Sequence, residues 1–198
     1  MNNPPSSRPT PARPVRAAAL LLALCACLSL AATAAAQKRE HLTPEEIELV
    51  RDNQELDART GVFIKAAERR LLAVTNPAES AKNAPKEKEK WGEVRGTRAQ
   101  LFYDISKILD EAVVNVDDVA EHNPESPLLR KSLYMLAEAT GRMLPELTRL
   151  REASQSEAEA DQLERALETA REITDAAKER GVTAEDLKAK AKAAKKTN

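Results

Sequence analysis

The chain has 198 residues, a length that suits one domain. Aromatics are only 3 % and glycines number five, while 32 % of residues are charged; a mixture this rich in Ala, Leu, Glu, Lys and Arg favours helices and excludes an ordinary sheet protein. With 31 basic against 32 acidic residues there is no excess of positive charge to attract nucleic acid.

Residues 1–36 read as a cleaved signal peptide. Arg8, Arg13 and Arg16 precede a run over 17–32 that is apolar but for Ser29, and Ala34, Ala35 and Ala36 supply the small residues that a signal peptidase reads, so cleavage is expected after Ala36. The run is shorter than the about 20 residues of a membrane-spanning helix, so no transmembrane segment is expected once the leader is gone. The alternative is a lipoprotein anchored through Cys27, because Leu24, Cys25 and Ala26 stand at lipobox spacing before it. Cys25 and Cys27 are the only cysteines, so a chain cut after Ala36 has no disulfide, thiolate metal site or cysteine nucleophile. The leader removes three basic residues and no acidic one, which leaves 28 against 32, a formal charge of −4.

The spacing after the leader predicts an all-α antiparallel bundle over 37–181. It has three long core helices, an alanine-rich fourth, and a short C-terminal helix with a tail over 182–198. The first helix is expected from Pro44 to about Val74. Thr43 is its N-cap, Pro44 suits the first position, and Glu46 completes a capping box. Its apolar stripe is Leu49, Leu56, Phe63, Ala67, Leu71 and Val74. Residues 75–90 contain Pro77, Pro85 and a run of alternating Lys and Glu with no apolar face. They are expected to form a mobile charged linker, turning helical at most near Lys86.

The second helix is expected over 91–121, with Trp91, Val94, Leu101, Ile105, Ile108, Ala112, Val116 and Val119 at steps of three and four. Trp91 reads as a core or hairpin-end anchor, or else as an exposed contact for a partner. The third helix is capped by Ser126, opens on Pro127 and runs to about Ala153, with the stripe Leu129, Leu133, Leu136, Met143, Leu147 and Leu150. The short polar connector between them folds these two helices back stripe to stripe. Pro145 lies inside the third helix with Gly141 four residues before it, which predicts a kink rather than a break.

The fourth helix, from about Glu157 to Arg180 and ended by Gly181, has the seam Leu163, Ala166, Leu167, Ala170, Ile173 and Ala177. Only three of these are large, so it is expected to add a thin layer to a core built by the other three. Its outer face is acidic. After it, Thr183 caps a short helix with Leu187, followed by Lys188, Lys190, Lys192, Lys195 and Lys196, a segment suited to weak contact with an acidic partner or an anionic lipid surface.

The residues that carry chemistry are few. Catalysis needs groups that titrate near neutral pH or nucleophiles that can be activated, and the chain has two histidines at two predicted element ends. It lacks the Glu-x-x-His, Cys-x-x-Cys-His and glycine-rich phosphate motifs. It is read as non-enzymatic, without a cofactor. The weak metal candidates are Asp118 and His122, four apart on one helix face with no third ligand in view. A histidine at a helix C-terminus is already explained by the helix dipole.

The string Leu42-Thr43-Pro44-Glu45-Glu46 resembles the Leu-Thr-Pro-x-Gln motif of the small periplasmic stress chaperones of the Spy/CpxP type, with Glu46 where the motif has glutamine and with a single copy here. The resemblance implies an exported, helical, cysteine-poor chaperone. The sequence as a whole predicts an exported structural or interaction protein of the bacterial cell envelope, acting through a protein partner or self-association. A periplasmic holdase-type chaperone is the alternative, followed by a bundle that binds a metal or small ligand.

Overall fold

The computed structural model describes residues 39–185. The expected leader with its cleavage site and Cys27 lies outside the described residues, as does the lysine-rich tail with Lys188, Lys190, Lys192, Lys195 and Lys196. The chain divides into two compact units, at Arg39 and Glu40. All the helices below belong to the second.

Six helices and no strand make up the described residues: α1 Pro44–Asp52, α2 Leu56–Thr75, α3 Pro77–Trp91, α4 Arg98–His122, α5 Pro127–Ala153 and α6 Glu157–Glu179. The all-α bundle expected from composition and periodicity is what forms. None of the helices is long and apolar enough to cross a membrane.

The first expected helix is two. Thr43 and Glu46 form the reciprocal capping box of α1: Glu46 N–H donates to Thr43 Oγ1 at 3.1 Å, and Thr43 N–H donates to Glu46 Oε2 at 2.9 Å. The helix ends at Asn53, which turns extended. Its side-chain amide and its backbone N–H both donate to the Leu49 carbonyl, at 2.6 and 3.1 Å. An asparagine that bonds locally to the backbone competes with helix continuation. Arg59 Nε then donates to the Asn53 carbonyl at 3.0 Å and holds the break in place.

The expected linker over 75–90 is also a helix. Asn76 caps α3 by accepting from Glu79 N–H at 3.2 Å, and Pro77 takes the first position, where its missing donor costs nothing. Trp91 therefore closes α3 instead of opening the next helix. Helix α4 begins seven residues later, at a second capping box formed by Thr97 and Gln100. Gly92, at φ +68°, makes the turn between them.

Helices α2, α4, α5 and α6 form the bundle, and its layout differs from a stripe-to-stripe hairpin. Helix α2 packs on α4 and α5, and α6 packs on the same two, while α4 and α5 themselves meet only slightly. The chain thus crosses the bundle diagonal between α4 and α5. Cross-helix bonds give the directions. Lys131–Asp57 and Arg142–Glu68 place α5 parallel to α2, and Arg98–Glu159 with Thr169–Asp110 places α6 parallel to α4. Arg59–Asn115 and Arg151–Glu164 join the antiparallel neighbours.

The core fills the centre of this square. Phe63, Phe102, Ile105, Ile108, Leu109, Leu136, Leu147, Leu163 and Leu167 are all sealed from solvent. Helix α6 is a full member of it, not a thin layer. Every residue of its expected seam is buried, and it makes the most extensive helix contacts in the molecule, with α5. Its alanines explain this: small side chains let neighbouring backbones approach closely. Its end is a Schellman motif, with Val182 N–H on the Ala177 carbonyl at 2.9 Å and Gly181 N–H on the Lys178 carbonyl at 3.0 Å. Val182 packs beside Ala177 and Leu133. Helix α5 passes through Pro145 unbroken.

Candidate functional site

The densest polar arrangement lies where α1, α2 and the end of α3 meet. Its centre is Glu46, on the inward face of α1 and fully buried. Glu46 reaches that position because the capping box turns its carboxylate back along the helix start. Two consecutive arginines of α2, Arg69 and Arg70, meet it from the other side. Both are buried, at 6 % and 2 % exposure.

Glu46 Oε1 accepts from Arg69 Nη1 and from Arg70 Nη1, each at 2.6 Å. Charge-assisted bonds of this length are among the strong ones. Two guanidiniums need more than one carboxylate to balance them, and Glu87 together with backbone carbonyls supplies the rest. Arg69 donates to the carbonyls of Trp91 and Gly92 at 2.9 and 2.7 Å and to Glu87 Oε2 at 3.0 Å. Arg70 donates to the carbonyls of Ala66 and His41 at 3.0 and 2.8 Å. Arg69 also stands 5.9 Å from the Trp91 ring centre, a cation–π distance.

Two neighbours fasten the cluster further. Thr43 Oγ1, already the acceptor of the cap, donates to the Trp91 carbonyl at 2.7 Å. Gly92 presses so closely on α1 that a Cβ would stand 2.1 Å from Glu45 Oε2 and 2.7 Å from Thr43 Oγ1, so glycine is required there on space as well as on φ. Just before α1, His41 Nε2 lies 2.7 Å from Glu111 Oε2 and ties this corner to α4.

At the edge of the cluster, Glu87 sits between two cations. Burial opposes its charge, but hydrogen bonds from Lys65 and Arg69 outweigh burial and hold the carboxyl below its ordinary range. The same logic holds on the bundle, where the hydrogen bond from Lys131 lowers Asp57. At the surface, Arg95 lowers Glu93 and is itself raised.

The metal candidates are placed apart from this cluster. Asp118 and His122 sit at the exposed end of α4, 69 % and 71 % exposed, with Asp118 Oδ1 and His122 Nδ1 3.4 Å apart. His122 Nδ1 is nearer the Asp118 carbonyl, at 2.8 Å, so this nitrogen closes the helix end. Among the described residues no three His, Cys, Asp or Glu side chains gather around a point a metal could occupy. The acidic residues of α6 line a shallow open concavity that includes Glu164, Glu168, Glu172, Asp175 and Glu179, with Arg171 among them.

The buried cluster was not foreseen from the sequence. The capping-box pattern gives Glu46 only a role at the helix start, and the apolar stripe of the first expected helix assigns no role to Arg69 or Arg70. The local signal is faint: Arg69 and Arg70 directly precede the apolar Leu71 and Leu72, but Lys65 and Glu68 lie in the same stretch, so two more charged residues do not stand out there. No family model matches the chain, and no curated protein or solved structure proves similar to it.

Proposed function

We propose that this chain is an exported, non-enzymatic structural or interaction protein of the bacterial cell envelope, working through contacts of its charged helical faces with a protein partner or a second copy. The observation that carries the reading is the use made of the buried charges. Glu46 Oε2 is taken by the α1 cap, and Glu46 Oε1 with every side-chain nitrogen of Arg69 is engaged in joining α1, α2 and the end of α3. A catalytic acid or base must instead reach a substrate. The leader motif supports export, and the acidic face of α6 supports recognition of a basic surface, with the expected charge-driven sensitivity to salt.

The test uses affinity capture from an envelope extract together with sedimentation of the purified chain. The reading expects a defined partner or a dimer, weakened by salt and by Glu164→Lys with Glu168→Lys. A strict monomer that captures nothing in a salt-dependent way would overturn it.

A holdase-type chaperone is the second reading, favoured by the Leu42–Glu46 string, whose threonine and glutamate build the α1 cap. Such a protein needs apolar surface for unfolded clients. Among the described residues the one large apolar side chain that stands mostly exposed is Val114, at 64 %. Suppression of the aggregation of a reduced client at near-stoichiometric amounts would favour this reading over the first. Metal binding through Asp118 and His122 is the third. It predicts a rise in Tm with Zn²⁺ that His122→Ala abolishes.

A further inference from the structure

Helix α3 is held unlike any other helix of the bundle unit. None of its residues is buried. Between its ends, the side it turns toward α2 consists of Ser80, Asn83, Ala84 and Glu87, at the three- and four-residue steps of one helix face, and Trp91 continues that face at the last turn, against Arg69. The first four are small or polar, so little apolar surface seals the middle of α3 to α2. A groove remains between them, floored by Leu72 and Ala73 and closed at one end by Val94.

The fastening is concentrated in a few places. Among the described residues, both ion pairs that cross from α3 to α2 are made by Glu87, to Lys65 at 3.1 Å and to Arg69 at 3.0 Å. The ends of α3 are firm. Asn76 N–H donates to the Leu72 carbonyl at 2.8 Å while its side chain caps α3, and the Trp91 and Gly92 carbonyls are held by Arg69. Between those ends the helix has weak internal support. Pro85 leaves the Ala81 carbonyl without its helical donor. A helix of this length with no buried face is marginal on its own in water.

We propose that α3 is a strap fastened at both ends, whose middle, residues 80–90, leaves α2 in one cooperative opening that breaks the Glu87 pairs with Lys65 and Arg69, while the four-helix bundle and the bonds of Glu46 to Arg69 and Arg70 stay closed. The opening uncovers Leu72 and Ala73, which are half-buried when the strap is down. It requires neither of the functions proposed above. It does supply the apolar strip that the closed surface lacks.

Hydrogen exchange of the intact chain, read by mass spectrometry on α3 and on α4 separately, tests it. The α3 amides exchange together, at least roughly 100-fold faster than the buried turns of α4. Glu87→Gln removes the carboxylate that both cations share, and speeds α3 exchange roughly tenfold with α4 and α6 unchanged. Asn83→Leu puts an apolar side chain over Leu72 and Ala73, and slows α3 exchange. An α3 that exchanges only at the rate of the bundle overturns the proposal. So does a Glu87→Gln variant with an unchanged α3 rate, or one in which α4 and α6 quicken equally with α3.

Discussion

The four-helix bundle and the layer formed by α1 and α3 are built on opposite physical terms. In the bundle, four helices bring apolar stripes to one centre, and the polar pairs between them lie at the rim, as Arg142–Glu68 and Arg98–Glu159 do. In the outer layer, α1 buries Glu46 and α3 buries nothing; α1 is held to α2 through Arg69 and Arg70, and α3 through Arg69 and Lys65. Apolar burial is non-directional and tolerates small shifts, since it follows area removed from water. A buried carboxylate shared by two guanidiniums depends on the angle and distance of each bond. The bundle should therefore fail globally, and the outer layer locally and by geometry.

The largest effect is expected in the bundle. Ile105 has no exposure and faces the centre from α4. Ile105→Asp removes that apolar side chain and leaves a carboxylate with no partner, at a cost of about 5 kcal/mol. For a chain of this size that lowers Tm by roughly 10–20 °C, with all helices lost in a single transition. A Tm within a few degrees of the parent would contradict the core.

Next comes the charge cluster. Glu46→Ala leaves the buried Arg70 with no carboxylate and Arg69 with Glu87 alone, and is expected to destabilise by about 3–5 kcal/mol. Pairing Glu46→Met with Arg70→Met removes the carboxylate and one cation together, and is expected to recover a large part of that loss. Denaturant unfolding measures both. A double variant as unstable as Glu46→Ala would show that the cluster acts through packing rather than through its charges.

The same contrast explains what could be read in the sequence. The seams of α4, α5 and α6 were legible because burial imposes a helical period, and Leu101, Ile108, Leu136, Leu147 and Ala170 are where the period puts them. Which helices become neighbours was not legible. Periodicity marks a face and does not say what covers it, so the diagonal placement of α4 and α5 left no trace in either stripe. Alanine in α6 was taken as weak packing, when small residues are what allow close approach. In the outer layer the period fails altogether. α3 carries no apolar face, and its helicity depends on one cap and on Glu87 reaching Lys65 and Arg69, a tertiary contact. The break at Asn53 depends likewise on Arg59, six residues on. Caps are local signals that the structure keeps, at Thr43 and Ser126.

The smallest effect separates the two regions by pH. Asp57 and Glu87 both have carboxyls lowered in the folded chain, Asp57 chiefly by the hydrogen bond from Lys131, Glu87 by Lys65 and Arg69 against the opposing effect of burial. A lowered folded value means that each contribution is complete above the ordinary value, 3.8 for Asp57 and 4.5 for Glu87, and is lost as pH falls through the folded value. Lys131 is 53 % exposed, so the Asp57 pair is screened and is worth only about 0.2–1 kcal/mol. Asp57→Asn should lower global stability by that amount at neutral pH and match the parent once Asp57 of the parent is protonated in the folded chain. The difference in α3 exchange between the parent and Glu87→Gln should close in the same way as pH falls below 4.5, while global unfolding barely moves. If acid changes global stability equally through Glu87 and through Asp57, α3 belongs to the cooperative bundle and the two regions are one.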